Sequence, residues 1–362
     1  MTFTALLILE GNLAFANTAN FSTMARQTLG RPGQAIIWLA YLTLLYALTA
    51  AYMSGGTSLF EAAMTTLGYP NIPASLGALL FTIILGGVVF IGARIVDYLN
   101  RGLMFLKAFA FILILFVLMP HINSQFLTSH LSQLPYSWVA LPIVMVAFGS
   151  HFIIPSIRIY IGDEPKTLRN IILIGSLIPL IVYLVWEAIT LGILPLTGTT
   201  SFQAIAAKHG SVGDMVIALQ SLTDSKLISF GFNFFTDVAI TTSFLGVTLS
   251  LFDFIGDAFK LNNQYSSGRI IAALITYLPP LAFALFYPKG FVMALGYASI
   301  SAAVLVLIFP AVMVAVVRCS PRLHSSYRVF SGNIGLIIAA LAGILIITLE
   351  ILNNMQLLPK LM

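Results

Sequence analysis

Long apolar stretches alternate with short polar gaps along almost the whole chain, at about 35–60, 74–93, 102–120, 138–157, 170–194, 227–256, 270–287, 291–317 and 332–352. A helix needs about 20 residues to cross about 30 Å of hydrocarbon, so each stretch predicts one membrane-spanning helix. A tenth, Met1 to Phe15, is too short to be complete. The gaps carry turn signals, Gly30-Arg31-Pro32-Gly33, Gly68-Tyr69-Pro70 and Tyr287-Pro288-Lys289-Gly290. The longest connection, about 195–226, predicts surface helices over Phe202 to Lys208 and Asp214 to Leu222. The expected fold class is therefore an all-α polytopic membrane protein, with about ten transmembrane segments and no soluble domain.

The distribution of cations orients these spans. Arg26/Arg31, Arg94/Arg101, Arg158/Lys166/Arg169, Lys260/Arg269 and Arg318/Arg322/Arg328 fall in alternate gaps, and Lys107 lies on the same side. The intervening gaps and the far end hold only Lys208, Lys226, Lys289 and Lys360. Cationic loops resist translocation, so the first set faces the cytoplasm and the second the outside. A composition of 59% hydrophobic and 8% charged residues agrees that the solvent is mostly lipid. The net charge of +5 is spread over separate inner loops and forms no basic face, which argues against a nucleic-acid partner. The single cysteine, Cys319, excludes a disulfide framework and a thiolate metal cluster. Met1 to Phe15 has no basic leader of a cleavable signal peptide, and by the charge rule it runs from outside to inside. This predicts an N-terminally truncated chain lacking an upstream helix.

A charge at mid-bilayer costs about 2.5–3.5 kcal/mol or more, so polar residues inside spans usually face a cavity or a partner. Glu10, Lys107, His151, Glu187 and Asp237 qualify by depth, whereas Glu61, Asp253, Asp257 and Glu350 lie near span ends. Asp97 beside Arg94 and Arg101, and Asp163-Glu164 beside Lys166, read as inner-surface ion pairs. Within 138–157, Phe148-Gly149-Ser150-His151 sits between Pro142 and Pro155. Pro155 cannot donate to the carbonyl of His151, and glycine weakens the helix, so a break over Phe148 to His151 is predicted. Unwound backbone at this depth lines a cavity where free amides and carbonyls can hold a small charged solute. The plainer alternative is a kinked helix with a hydrogen-bonded His151. In 227–256, helical periodicity puts Asn233, Asp237 and Thr241 on one face, with Thr242, Ser243 and Phe244 following. That face suits a ligand wall, although Ser and Thr also bond back to helix carbonyls. Tyr41, Tyr46 and Tyr52 could stack on an aromatic solute or simply pack. Glu10 and Glu187 are candidate proton carriers, against a structural hydrogen bond for each; Lys107 is deep enough to be desolvated and shallow enough to snorkel.

No Walker loop, His-Glu-x-x-His or Gly-x-Ser-x-Gly motif, or arginine-rich span is present, which disfavours primary pumps and common membrane hydrolases. Three stretches, Leu29-Gly-Arg-Pro-Gly-Gln-Ala35, Ala147-Phe-Gly-Ser-His-Phe-Ile-Ile-Pro155-Ser156 and Thr242-Ser-Phe-Leu-Gly-Val-Thr-Leu-Ser-Leu-Phe-Asp253, carry a resemblance. Together they resemble the bacterial hydroxy and aromatic amino acid permease family, nearest to its tyrosine and tryptophan permeases. The resemblance implies a LeuT-like 5+5 inverted-repeat transporter fold with an extra C-terminal helix. Residues 1–120 would be the remainder of the first repeat, 138–317 the second repeat, and 332–352 the extra helix; helix one would be absent. It also implies a substrate site on Phe148, Gly149, Ser150 and His151 of the broken sixth helix, completed by Tyr46, Asp237, Thr241, Ser243 and Phe244. Lys107 lies on the fifth helix, where some proton-coupled relatives carry a lysine in place of sodium, and joins Asp237, Glu187 and Glu10 as a proton-coupling candidate.

The expected function is a secondary transporter importing tyrosine, tryptophan or phenylalanine with a proton across the bacterial inner membrane. Its partners would be the aromatic amino acid and membrane lipid. No organic cofactor or metal is expected, and a proton is favoured over sodium as coupling ion. The alternative is a non-transporting remnant that inserts and binds ligand. A membrane enzyme using Ser150 and His151 is disfavoured because the two are sequence neighbours with no identifiable acidic orienter.

Overall fold

The computed structural model describes all residues except Pro70, 130–136, 208–209, 222–225, 262–265, 331 and 359–362. Lys208, Leu222 and Lys360, used above for topology and the outer connection, lie outside the described residues, as does Pro70 of the second turn. In chain order the helices are α1 (Thr2–Asn12), α2 (Phe21–Thr66), α3 (Ala74–Ile91), α4 (Ala93–Leu118), α5 (Ser124–Ser129), α6 (Ser137–Ala147), α7 (Ile154–Ile161) and α8 (Pro165–Ile193). They continue as α9 (Phe202–Ala207), α10 (Val212–Ser221), α11 (Lys226–Ala258), α12 (Ser266–Phe286), α13 (Phe291–Ala303), α14 (Phe309–Cys319) and α15 (Gly332–Asn354). Among the described residues there is no β-strand, and nine helical segments are long and apolar enough to cross a membrane. They coincide with the nine stretches read from hydropathy, and α9 and α10 occupy the two positions expected for surface helices.

Two polar gaps expected to be loops are instead continuous with helices. At Gly30 the backbone leaves helical geometry, with φ +72° and ψ −165°, and Arg31-Pro32 then starts a new helical turn, so α2 is two helical segments meeting at a kink with no loop between them. Proline is tolerated there because a helix's first N–H groups have no intrahelical acceptor. At Gly92, φ +140° and ψ 166° reverse the chain in one residue between α3 and α4. An L side chain is strained in that region, so glycine permits the missing loop. The polar residues 94–101 then form the first turns of α4, supported by an Arg101–Asp97 pair at 2.8 Å across one turn.

The chain divides into two compact units. The first comprises Met1–Leu44, Pro135–Leu184 and Gly296–Pro359. Its core is α1, buried on all sides: Leu7, Ile8 and Leu9 are fully enclosed, and Ala5, Leu9 and Leu13 pack with Ile154, Leu168 and Ile172. Thr4, Glu10 and Asn12 are buried with them, polar groups that need protein partners rather than lipid around the helix. Between α13 and α14, Val304–Ile308 widens into a π-helical turn that packs against α15. The second unit comprises Leu45–Leu134, Val185–Leu295 and Lys360–Met362. There α4 lies along α11, and α3 packs on α11 and α12. Its core gathers Leu59, Ile114, Leu118, Ile189, Leu219 and Phe232, while Phe105, Phe109 and Phe116 of α4 point outward, as a lipid-facing helix requires.

Candidate functional site

The break predicted in the first unit is present. Helix α6 ends at Ala147, Phe148 and Gly149 leave the helix, Ser150–Ile153 form one 3-10 turn, and α7 resumes with Pro155 in its first turn. The Gly149 amide bonds to the Val146 carbonyl at 3.0 Å, and a Cβ at Gly149 would meet that same oxygen at 3.0 Å. The turn is thus too tight for a side chain without backbone adjustment. Helix ends leave carbonyls without intrahelical partners. That of Ala147 accepts the Tyr183 hydroxyl at 3.3 Å, and the Tyr183 ring packs edge-on against Phe148. Tyr183 was not singled out from sequence, where it is one tyrosine in an otherwise uniform apolar run.

His151 is buried, 1% exposed. Its Nε2 lies 2.9 Å from the Thr4 hydroxyl oxygen and 3.2 Å from the Met1 carbonyl, while the Thr4 hydroxyl itself donates to that carbonyl at 2.8 Å. Both neighbours of Nε2 are therefore acceptors, which assigns the proton of a neutral imidazole to Nε2. Nδ1 is left as an acceptor with no hydrogen-bond partner among the described residues. Phe148, Ser150 and His151 line a small cavity of about 40 Å³, closed on its other sides by α1 and by Gly175, Ser176 and Pro179 of α8. That volume holds a few water molecules at most and is far below the ~300–1,000 Å³ of ligand pockets.

Glu10, also in the first unit, is 2% exposed. Arg318 donates to Oε1 at 2.6 Å and to Oε2 at 2.8 Å, and the Val329 amide donates to Oε2 at 2.8 Å. A carboxylate so engaged on both oxygens is a fixed structural group. Arg158, read from sequence as a loop cation, is likewise buried; it donates to the Asn12 carbonyl that ends α1 and to the Phe15 carbonyl just beyond it, and pairs with Asp163 at 2.6 Å. Asp163 is thus partnered by Arg158 rather than Lys166. This hydrogen bond and charge hold the Asp163 carboxyl below its ordinary pKa of 3.8. Glu350, expected at the interface, is instead buried over Gly296, where a Cβ would collide with its carboxylate, and it accepts from Asn354 at 3.1 Å.

The remaining sequence-predicted residues belong to the second unit. Lys107, half-buried on α4, donates to the Thr242 hydroxyl of α11 at 3.2 Å, so it points inward instead of snorkelling. Asp237 and Thr241 share a face of α11 and line a cavity of about 340 Å³ with Phe60, Phe81, Gly77 and Ile240. Phe244 is fully buried and stacks edge-on with Phe81, with centroids 5.0 Å apart. Tyr46 donates its hydroxyl to the Ile275 carbonyl at 2.8 Å. Ser243 is half-buried on α11, and Glu187 lies on an exposed face of α8. No group of three or more metal-ligating side chains occurs among the described residues.

Comparison with known proteins places these features in context. Residues 1–350 match the model of the tryptophan/tyrosine permease family. The chain is 37% identical over 352 residues to the tyrosine-specific transport system 1 of Haemophilus influenzae, covering 96% of this chain and 84% of the relative. It is 33% identical to the tryptophan-specific transport protein of that organism, covering 98% and 86%. With the low affinity tryptophan permease of Escherichia coli the identity is 30%, covering 99% and 87%. Together with the nine spanning segments, these matches make the chain a multi-pass inner-membrane protein of a transport family, not an enzyme.

Proposed function

The chain belongs to the tryptophan/tyrosine permease family, and from that premise we propose that it is a proton-coupled symporter importing aromatic amino acids, tyrosine or tryptophan and also phenylalanine. The observation that carries this reading is the helix break at Phe148-Gly149, which sets buried His151, its Nδ1 without a partner among the described residues, beside a small cavity in a membrane-spanning segment. Two inverted repeats, 138–317 with five helices and 1–120 as the remainder of the other, with 332–352 as an added helix, would let one bundle rock against the other and open the break alternately to each side. The amino acid's charged groups would meet the backbone and side chains of Phe148 to His151. The Asp237, Thr241, Ser243 and Phe244 face, with Tyr46, would serve the ring.

Proton coupling falls first to half-buried Lys107, with Asp237 and Glu187 weaker candidates because both occupy exposed positions. Lys107 has one neutral partner and no counter-ion among the described residues, so its charge state is free to change. Glu10 is assigned to structure. The test is uptake of labelled tyrosine and tryptophan by cells lacking their own aromatic permeases and expressing this chain, with and without a protonophore. Saturable uptake abolished by the protonophore supports the reading, and absence of uptake with the protein verified in the membrane rejects it.

A further inference from the structure

The second unit contains another polar cavity that the transport reading does not use, about 210 Å³ in volume. It is bounded by the C-terminal end of α2, the start of α10 and the turn before α13, and its chemistry is carried by Ser58, Glu61, Tyr69, Ser211, Asp214 and Lys289. All three bounding regions belong to connections that the cation pattern assigns to the outer face. The α10 wall is fixed on α2: a Cβ at Gly213 would lie 2.5 Å from the Ser58 carbonyl oxygen, so only glycine allows this approach. Ser211 caps α10 by accepting the Asp214 amide at 3.1 Å and donates to the Asp214 carboxylate at 2.5 Å, which sets that carboxylate in place.

The charges around the cavity are mixed and under-paired. Lys289 Nζ is 3.9 Å from the Asp214 carboxylate, at the limit of an ion pair, and its side chain is 43% exposed. The Glu61 carboxylate lies within electrostatic reach of both and accepts no hydrogen bond among the described residues. One ammonium and two carboxylates around a void of this size complement a ligand carrying its own carboxylate and ammonium group, and Tyr69 offers a ring at the rim.

Building on the proposed transport of amino acids, we infer that this cavity is a second, outward-facing binding site for zwitterionic α-amino acids. Lys289 receives the carboxylate, Glu61 and Asp214 receive the ammonium group, and Tyr69 contacts the side chain.

Equilibrium binding of labelled tyrosine and tryptophan to the full chain in lipid nanodiscs tests this without requiring transport. The expected stoichiometry is two ligands per wild-type chain. Lys289→Met and Glu61→Gln should each weaken one site about tenfold, Lys289→Arg should retain it, and Gly149→Leu should lose the other site while keeping this one. In the Gly149→Leu protein, neither the methyl ester nor the deaminated acid of the same amino acid should compete, because each lacks one of the two charges. A single wild-type site, lost in Gly149→Leu and indifferent to Lys289→Met, overturns the inference and leaves the transport reading standing. No aromatic amino acid bound at all overturns both.

Discussion

The two units treat buried polar groups in opposite ways. In the first, Glu10 and Arg158 are saturated: every strong donor or acceptor near the end of α1 is answered by a guanidinium, a carbonyl or an amide. In the second, half-buried Lys107 has one neutral partner, and Asp237 stands exposed at the wall of a cavity. A buried charge that is fully paired is costly to disturb but has little freedom to change state, whereas one with few partners can exchange a proton or meet a ligand. The first unit also contains exceptions: His151, whose Nδ1 has no partner among the described residues, and Glu350, which accepts from neutral Asn354. Stability and function should therefore part along this line.

Substituting Glu10→Gln should give the largest effect. It leaves Arg318 buried without its counter-ion, at a cost of about 3–5 kcal/mol, measurable as a steep fall in folded yield and thermal midpoint in detergent. A variant as stable as wild type would remove the distinction between clamped and free charges. Next comes Gly149→Leu, expected to abolish uptake while membrane insertion stays normal, because the side chain must displace the Val146 carbonyl within the break. Normal uptake by that variant would dissociate the break from transport.

Lys107→Ala should leave the fold within about 1 kcal/mol of wild type, since one hydrogen bond to Thr242 is lost, but should remove the pH dependence of accumulation. Unchanged accumulation driven by a proton gradient would take Lys107 out of the mechanism. Asp163→Asn should be mildest. The folded carboxyl is held below 3.8 by Arg158, so its stabilisation is complete above that pH and is lost as pH falls through the lowered value. The melting difference between wild type and variant should accordingly be present at pH 7 and close in strong acid; a constant gap across pH would mean the pair contributes through shape rather than charge.

Much of this was legible in the sequence because it depends on local rules. Spans follow from apolar length, and the break follows from Gly149 with Pro155. What could not be read was pairing over distance. Arg158 and Arg318 sit at span ends among other cations and look like topology signals, yet each turns inward to serve α1. Nothing local marks Glu10 as the partner of a residue 308 positions away. Glu350 was misplaced for the same reason: the space over Gly296 that receives it is made by another helix. Gly92 was missed because a single residue with positive φ did the work expected of a loop.

The Glu10–Arg318 clamp also bears on how the protein is made. At about 5–20 residues per second, the chain must grow for roughly 15–60 s after Glu10 emerges before Arg318 exists to meet it. For that interval α1 is a segment carrying an unanswered carboxylate, which is costly to leave in lipid. The nascent chain therefore has a reason to hold α1 at the insertion machinery, or in contact with water, until its last helices arrive, and final closure of the first unit becomes a late step of biogenesis.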